Sequence, residues 1–77
     1  MPRKITVTPA HGSWKLVPSG GAKAPDAKFR TQQRATDVGK RDLAKQGGGE
    51  LAIKGRDGAV RNQNTVAPAR DPRKSKG

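Results

Sequence analysis

Three times in this chain two large apolar residues stand two apart around a smaller or polar one: Ile5-Thr6-Val7, Trp14-Lys15-Leu16 and Leu51-Ala52-Ile53. That spacing puts each pair on one side of an extended strand and the residue between them on the other. Little else in the sequence is both large and apolar; Phe29, Val38, Leu43 and Val60 complete the candidate core. Such a chain can cover one face of one small sheet and has nothing left for the second face. The mean hydropathy of −0.94 leans toward disorder. Disorder does not account for apolar residues that fall in register, so one small marginal fold is expected.

The doublets organise the rest. Residues 4–9 alternate, with Ile5, Thr6, Val7 and Thr8 β-branched in succession, and Pro9 ends the strand or marks a sheet edge. Ala10-His11-Gly12-Ser13 reads as a turn into a second strand at residues 14–17, close enough to form a hairpin. Residues 18–30 are rich in Pro and Gly and read as a loop. Thr31 is the expected helix N-cap. The helix is expected from Gln32 to about Gln46, with a stripe of Ala35, Val38, Gly39 and Leu43. Gly39 costs about 1 kcal/mol there relative to Ala and is read as permitting close packing on the sheet. Gly47-Gly48-Gly49 stops the helix. Residues 50–54 form a third strand, Asp57-Gly58 is a favoured hairpin dipeptide, and residues 59–63 form a fourth with Val60 inward.

The expected fold is α+β: a β-β-α-β-β domain over residues 1–66, with a four-stranded sheet and one helix packed on one face. Residues 67–77 are expected to be a basic disordered tail.

The succession Ile5-Thr6-Val7-Thr8-Pro9, the His11-Gly12 turn leading to Trp14, the helix opening at Thr31, the stretch Gly49-Glu50-Leu51-Ala52-Ile53-Lys54-Gly55-Arg56-Asp57-Gly58, and Asp71-Pro72 together resemble a small bacterial family, domain of unknown function 2188. The resemblance covers most of residues 4–72 and is sharpest at 49–58. It implies the same strand-strand-helix-strand-strand order. The family carries no assigned activity, so it implies no catalytic residue. Its pattern has an acidic residue three positions after the helix-opening Thr, which would complete a capping box; this chain has Arg34 there.

Lys and Arg number 17 against 6 Asp and Glu, a net of +11. Residues 5–66 hold 11 of the basic and 5 of the acidic residues, so the excess is not confined to the ends. By strand parity, the sheet face away from the helix carries Lys4, Thr6, Thr8, Lys15, Val17, Ala52, Lys54, Arg61 and Gln63, with Glu50 its only carboxylate. An open cationic face suits a polyphosphate backbone, where each neutralised phosphate releases counterions. It equally suits simple solvation, since polar residues on an exposed sheet face are the norm. The face lacks aromatic residues, so base stacking of the kind used by RNA-recognition sheets is not expected.

The expected protein is therefore a small basic non-enzymatic binder of structured RNA, the ribosome or DNA, acting through phosphates. The candidate contacts are Lys4, Lys15, Lys54 and Arg61 on the sheet, Arg56 at a hairpin tip, and Arg70, Arg73, Lys74 and Lys76 in the tail. The alternative is a protein-interaction module, an inhibitor or adaptor docking on an acidic protein surface; a homodimer is compatible with either.

Other classes find little support. There is no Cys for a disulfide or thiolate site, and the single His11 has no recognisable catalytic partner. The six acids are dispersed, so neither a metal nor a cofactor is expected. Ser19-Gly20-Gly21-Ala22-Lys23 lacks the spacing of a phosphate-binding loop. No run approaches the ~20 apolar residues of a membrane span, and no apolar leader opens the chain, so a cytoplasmic protein is expected.

Overall fold

The computed structural model describes residues 3–68. Strands β1 (Lys4–Ala10) and β2 (Ser13–Ser19) come first, then a two-residue strand β3 (Lys28–Phe29) and the helix α1 (Gln32–Lys45). Strands β4 (Gly49–Lys54) and β5 (Val60–Val66) follow. All strands join one sheet in the order β3-β2-β1-β4-β5. The α+β class and the β-β-α-β-β succession are as expected, but the sheet has five strands, not four. The added β3 lies in the stretch expected to be loop.

The topology follows from short connections and one long one. The His11-Gly12 turn joins β1 and β2 antiparallel, with φ of 43° and 80° at its two central residues. That pair of positive values belongs to the two-residue turn whose twist matches a hairpin. β1 and β4 pair parallel, which requires a crossover between them. The crossover is α1, which lies over β1, β4 and β2.

The three doublets all point under that helix. Ile5, Val7, Leu51 and Leu43 are fully buried, with Trp14, Leu16, Ala35 and Ile53 beside them. Phe29 and Val38 are half-buried and pack against this cluster. Gly39 is buried where α1 meets the sheet; a Cβ there would lie 3.0 Å from Leu51 Cδ1 and 3.4 Å from Leu16 Cδ2. The missing side chain lets the helix sit close.

The helix ends are built as the sequence suggests. The Thr31 hydroxyl accepts the Arg34 N–H at 3.1 Å. At the other end the Gly48 N–H donates to the Leu43 carbonyl at 2.7 Å and the Gly47 N–H to Ala44 at 3.3 Å. This double closure is the glycine-dependent Schellman motif. The Gln46 side chain then grips the Pro- and Gly-rich loop: its Oε1 accepts the Lys23 N–H at 2.7 Å and its Nε2 donates to the Lys23 carbonyl at 2.6 Å.

Val60 departs from expectation. Instead of facing the helix it is 54% exposed. The pairing of β4 with β5 slips between Ile53 and Lys54, so that Lys54 stands opposite Val60 and Arg61 is the extra residue. A bulge of this kind turns the following side chains to the other face. The apolar pair thus ends at Ile53, and β5 contributes only Val66 to the core margin.

Candidate functional site

The face away from α1 is uncovered among the described residues, and its composition can be read row by row across the strands. One row joins Lys28 of β3 to Lys15 of β2 and Lys15 to Thr8 of β1. Lys54 of β4 lies at the same end, one residue past the Val7–Ile53 pairing. The next row is Val17, Thr6, Ala52 and Gln63, and the third is Ser19, Lys4, Glu50 and Thr65. Ala52 is 1% exposed although it faces outward, because Thr6 and Gln63 flank it and its own side chain is one methyl.

Lys15 and Lys28 are therefore direct cross-strand neighbours, and both are exposed. Like charges in that relation destabilise a sheet, so this pairing is not explained by the fold. The sequence does not place Lys28 on this face, because nothing in residues 18–30 signals a strand; the pairing of Phe29 with Trp14 creates it. Lys4 sits differently. Its neighbour across the sheet is Glu50, whose carboxylate accepts the Thr65 hydroxyl at 2.9 Å. Positive charge is thus undiluted at the Lys15–Lys28–Lys54 end of the face and offset at the Lys4 end.

Arg61 does not join this surface as a free cation. Its guanidinium Nη2 donates to Asp57 Oδ2 at 2.7 Å, the one ion pair among the described residues. The bulge brings the two together: Asp57 also accepts the Ala59 N–H at 3.1 Å through Oδ1. Arg56, next to Asp57, is exposed on the same turn. Arg70, Arg73, Lys74 and Lys76 lie outside the described residues.

That end of the sheet also holds two adjoining concavities. A cleft of about 340 Å³ runs between the β1–β2 turn, the start of α1 and the β4–β5 turn, and includes His11, Trp14, Arg30 and Arg56. A neighbouring hollow shares Trp14, Arg30 and Arg56 and adds Thr31 and Gln32. The Gln32 Nε2 donates to the Lys54 carbonyl at 3.0 Å, tying the helix start to the end of β4. Arg30 was not singled out in the sequence, because its place beside Arg56 depends on how the helix crosses the sheet.

The geometry defines a class: a small basic α+β domain with one helix-covered face and one open face whose cations gather at one end. The chain belongs to the family described as an uncharacterized protein conserved in bacteria (DUF2188), whose model matches residues 5–66. No curated protein and no solved structure matches the chain. Membership agrees with the resemblance carried by residues 49–58 and brings no assigned chemistry with it. No helix among the described residues is long and apolar enough to cross a membrane.

Proposed function

We propose that the chain is a cytoplasmic, non-enzymatic binder of nucleic acid that grips phosphates with the open face of its sheet. The observation that carries this reading is the lateral pairing of Lys15 with Lys28, with Lys54 at the same end and no carboxylate in their row. A polyanion laid across that end removes a repulsion the fold otherwise bears. The absence of aromatic side chains from the face favours backbone contact over base readout. Among the candidate residues Lys15, Lys28 and Lys54 carry the most weight; Lys4 is tempered by Glu50 and Arg61 by Asp57.

The test is a salt titration of binding to structured RNA and to duplex DNA. Affinity is expected to fall steeply with salt, with a log–log slope of about −0.9 per phosphate contacted on duplex DNA. Replacing Lys15, Lys28 and Lys54 together by Gln is expected to remove most of that slope. Undetectable binding at low salt, or a slope unmoved by the triple replacement, would sink the proposal.

One observation favours the second reading, docking on a protein. β5 is an edge strand of seven residues with no Lys or Pro within it, and such edges accept a partner strand. A capture from lysate treated with nuclease separates the two: partners lost with the nucleic acid support the first reading, and protein partners that persist support the second.

A further inference from the structure

From the cleft at the end of the sheet we infer a second, separate site: a pocket for a terminal phosphoryl group, with Arg30 and Arg56 as its clamp and Trp14 as its floor. The inference stands apart from the sheet-face proposal, because it needs no polyanion and uses none of the face lysines.

Four features converge. Both hollows at this end share Trp14, Arg30 and Arg56, so the two arginines border one space. No Asp or Glu lines either hollow. The nearest acid in sequence, Asp57, is occupied by Arg61 at 2.7 Å and by the Ala59 N–H at 3.1 Å. Arg56 is thus left beside a carboxylate already engaged elsewhere.

The arginines also stand on short, constrained backbone. Arg30 lies between β3 and the helix cap Thr31. Arg56 sits in a turn closed by the Gly58 N–H to the Gly55 carbonyl at 2.9 Å and the Gly55 N–H to the Ala59 carbonyl at 2.8 Å. Binding then orders two exposed side chains but not the backbone that carries them.

The fourth feature is His11. Among the described residues it is the one non-glycine with positive φ, at 43°, in a turn position that usually takes Asn, Asp or Gly. The hairpin turn sets that conformation, and it places His11 in the lining of the same cleft as the arginines. Two planar guanidinium forks and an imidazole over an aromatic floor match a phosphate that carries a flat or apolar substituent. At about 340 Å³ the cleft falls at the small end of ligand sites. The ligand class is therefore a small phosphate ester or diphosphate, either free or as the phosphorylated end of a strand.

Trp14 is the only tryptophan of the chain and borders both the core and this cleft, so its fluorescence responds to binding there once the melts show that the core is intact. The intact protein is titrated with pyrophosphate at constant ionic strength. A saturable change is expected, and it should weaken about tenfold or more in Arg30→Ala and in Arg56→Ala, each removing charge-assisted hydrogen bonds. The Lys15→Gln, Lys28→Gln double variant should bind pyrophosphate as the parent does. Matched thermal melts check that each variant is folded.

A 5′-phosphorylated oligonucleotide is then compared with its 5′-hydroxyl form: preference for the phosphate supports a strand end as the source, and equal binding alongside saturable pyrophosphate supports a free ligand. A fluorescence change that sodium chloride reproduces, or one that survives loss of both arginines, would overturn the site. Loss of pyrophosphate binding in the lysine variant would show that the face, not the cleft, holds the anion.

Discussion

Single residues decide this fold where backbones come closest. Gly48 has φ of 88°, and a Cβ built on it would lie 2.6 Å from the Val66 carbonyl oxygen. Its N–H also makes the 2.7 Å bond that closes the helix. Gly48→Ala therefore meets two separate penalties. The left-handed backbone alone costs about 1–2 kcal/mol in an L-residue, and the contact with β5 adds to it. Urea unfolding of the variant should show a lower midpoint with an unchanged slope. Gly39 makes a useful contrast. It is a helical glycine without positive φ, and the atoms around it are side-chain methyls. Gly39→Ala exchanges about 1 kcal/mol of helix propensity against a tight contact with Leu51, so it should change stability far less than Gly48→Ala. The helix stop at Gly47-Gly48-Gly49 was legible from composition. That Gly48 also lies against the β5 backbone was not, because it depends on pairing made eighteen residues later.

Among the elements, legibility follows how local each one's cause is. β1, β2 and β4 announce themselves through doublets that the helix covers. The helix announces itself through Thr31 and the glycine run. β3 was hidden because it exists only where Phe29 meets Trp14. The sequence pattern makes β5 shorter and gives Val60 to the core. The end of β5 is an uninterrupted polar run, Asn62-Gln63-Asn64-Thr65, that lies largely beyond the helix and needs no apolar alternation. Its register is set by the bulge at Lys54, which no single-strand pattern encodes. The candidate face was legible in part for the same reason: Lys15 and Lys54 follow from parity within their own strands, whereas Lys28 and the capture of Arg61 by Asp57 depend on neighbours.

The helix itself remains under-stabilised at its start. No acid stands in its first turn, and Arg34 places a cation against the positive end of the helix dipole. Arg34→Glu should complete a capping box with Thr31 and reverse the dipole interaction. A gain of about 0.5–1.5 kcal/mol is expected, read as a higher melting temperature and more helical signal at intermediate urea. A lower melting temperature would show that Arg34 makes a stabilising contact that the native structure does not reveal.

At the scale of the whole molecule, the charge is organised by the direction in which strands and helix run. The end where β4 and β3 finish and α1 begins gathers Lys15, Lys28, Arg30, Arg34, Lys54 and Arg56. Of the acids nearby, Asp57 is paired with Arg61, Asp37 accepts the Gln33 amide at 3.0 Å, and Asp26 lies two residues before Lys28. A net of +11 on 77 residues favours solubility at the expense of self-repulsion, and the repulsion is sharpest where Lys15 meets Lys28. This sets stability and binding in opposition. Replacing both lysines by Gln should stabilise the free protein by about 0.2–1 kcal/mol at low salt, the range of cross-strand pair effects. That gain should fade toward 1 M salt, where screening reaches about 3 Å. The same variant should bind nucleic acid less tightly, with a salt slope shallower by about two, one for each lost phosphate contact. If the lysines serve only to keep an exposed sheet solvated, the stability gain remains and the slope does not move. Melting curves and binding isotherms taken across one salt series therefore decide whether the repulsion built into this face is a cost of solubility or the condition for holding a phosphate backbone.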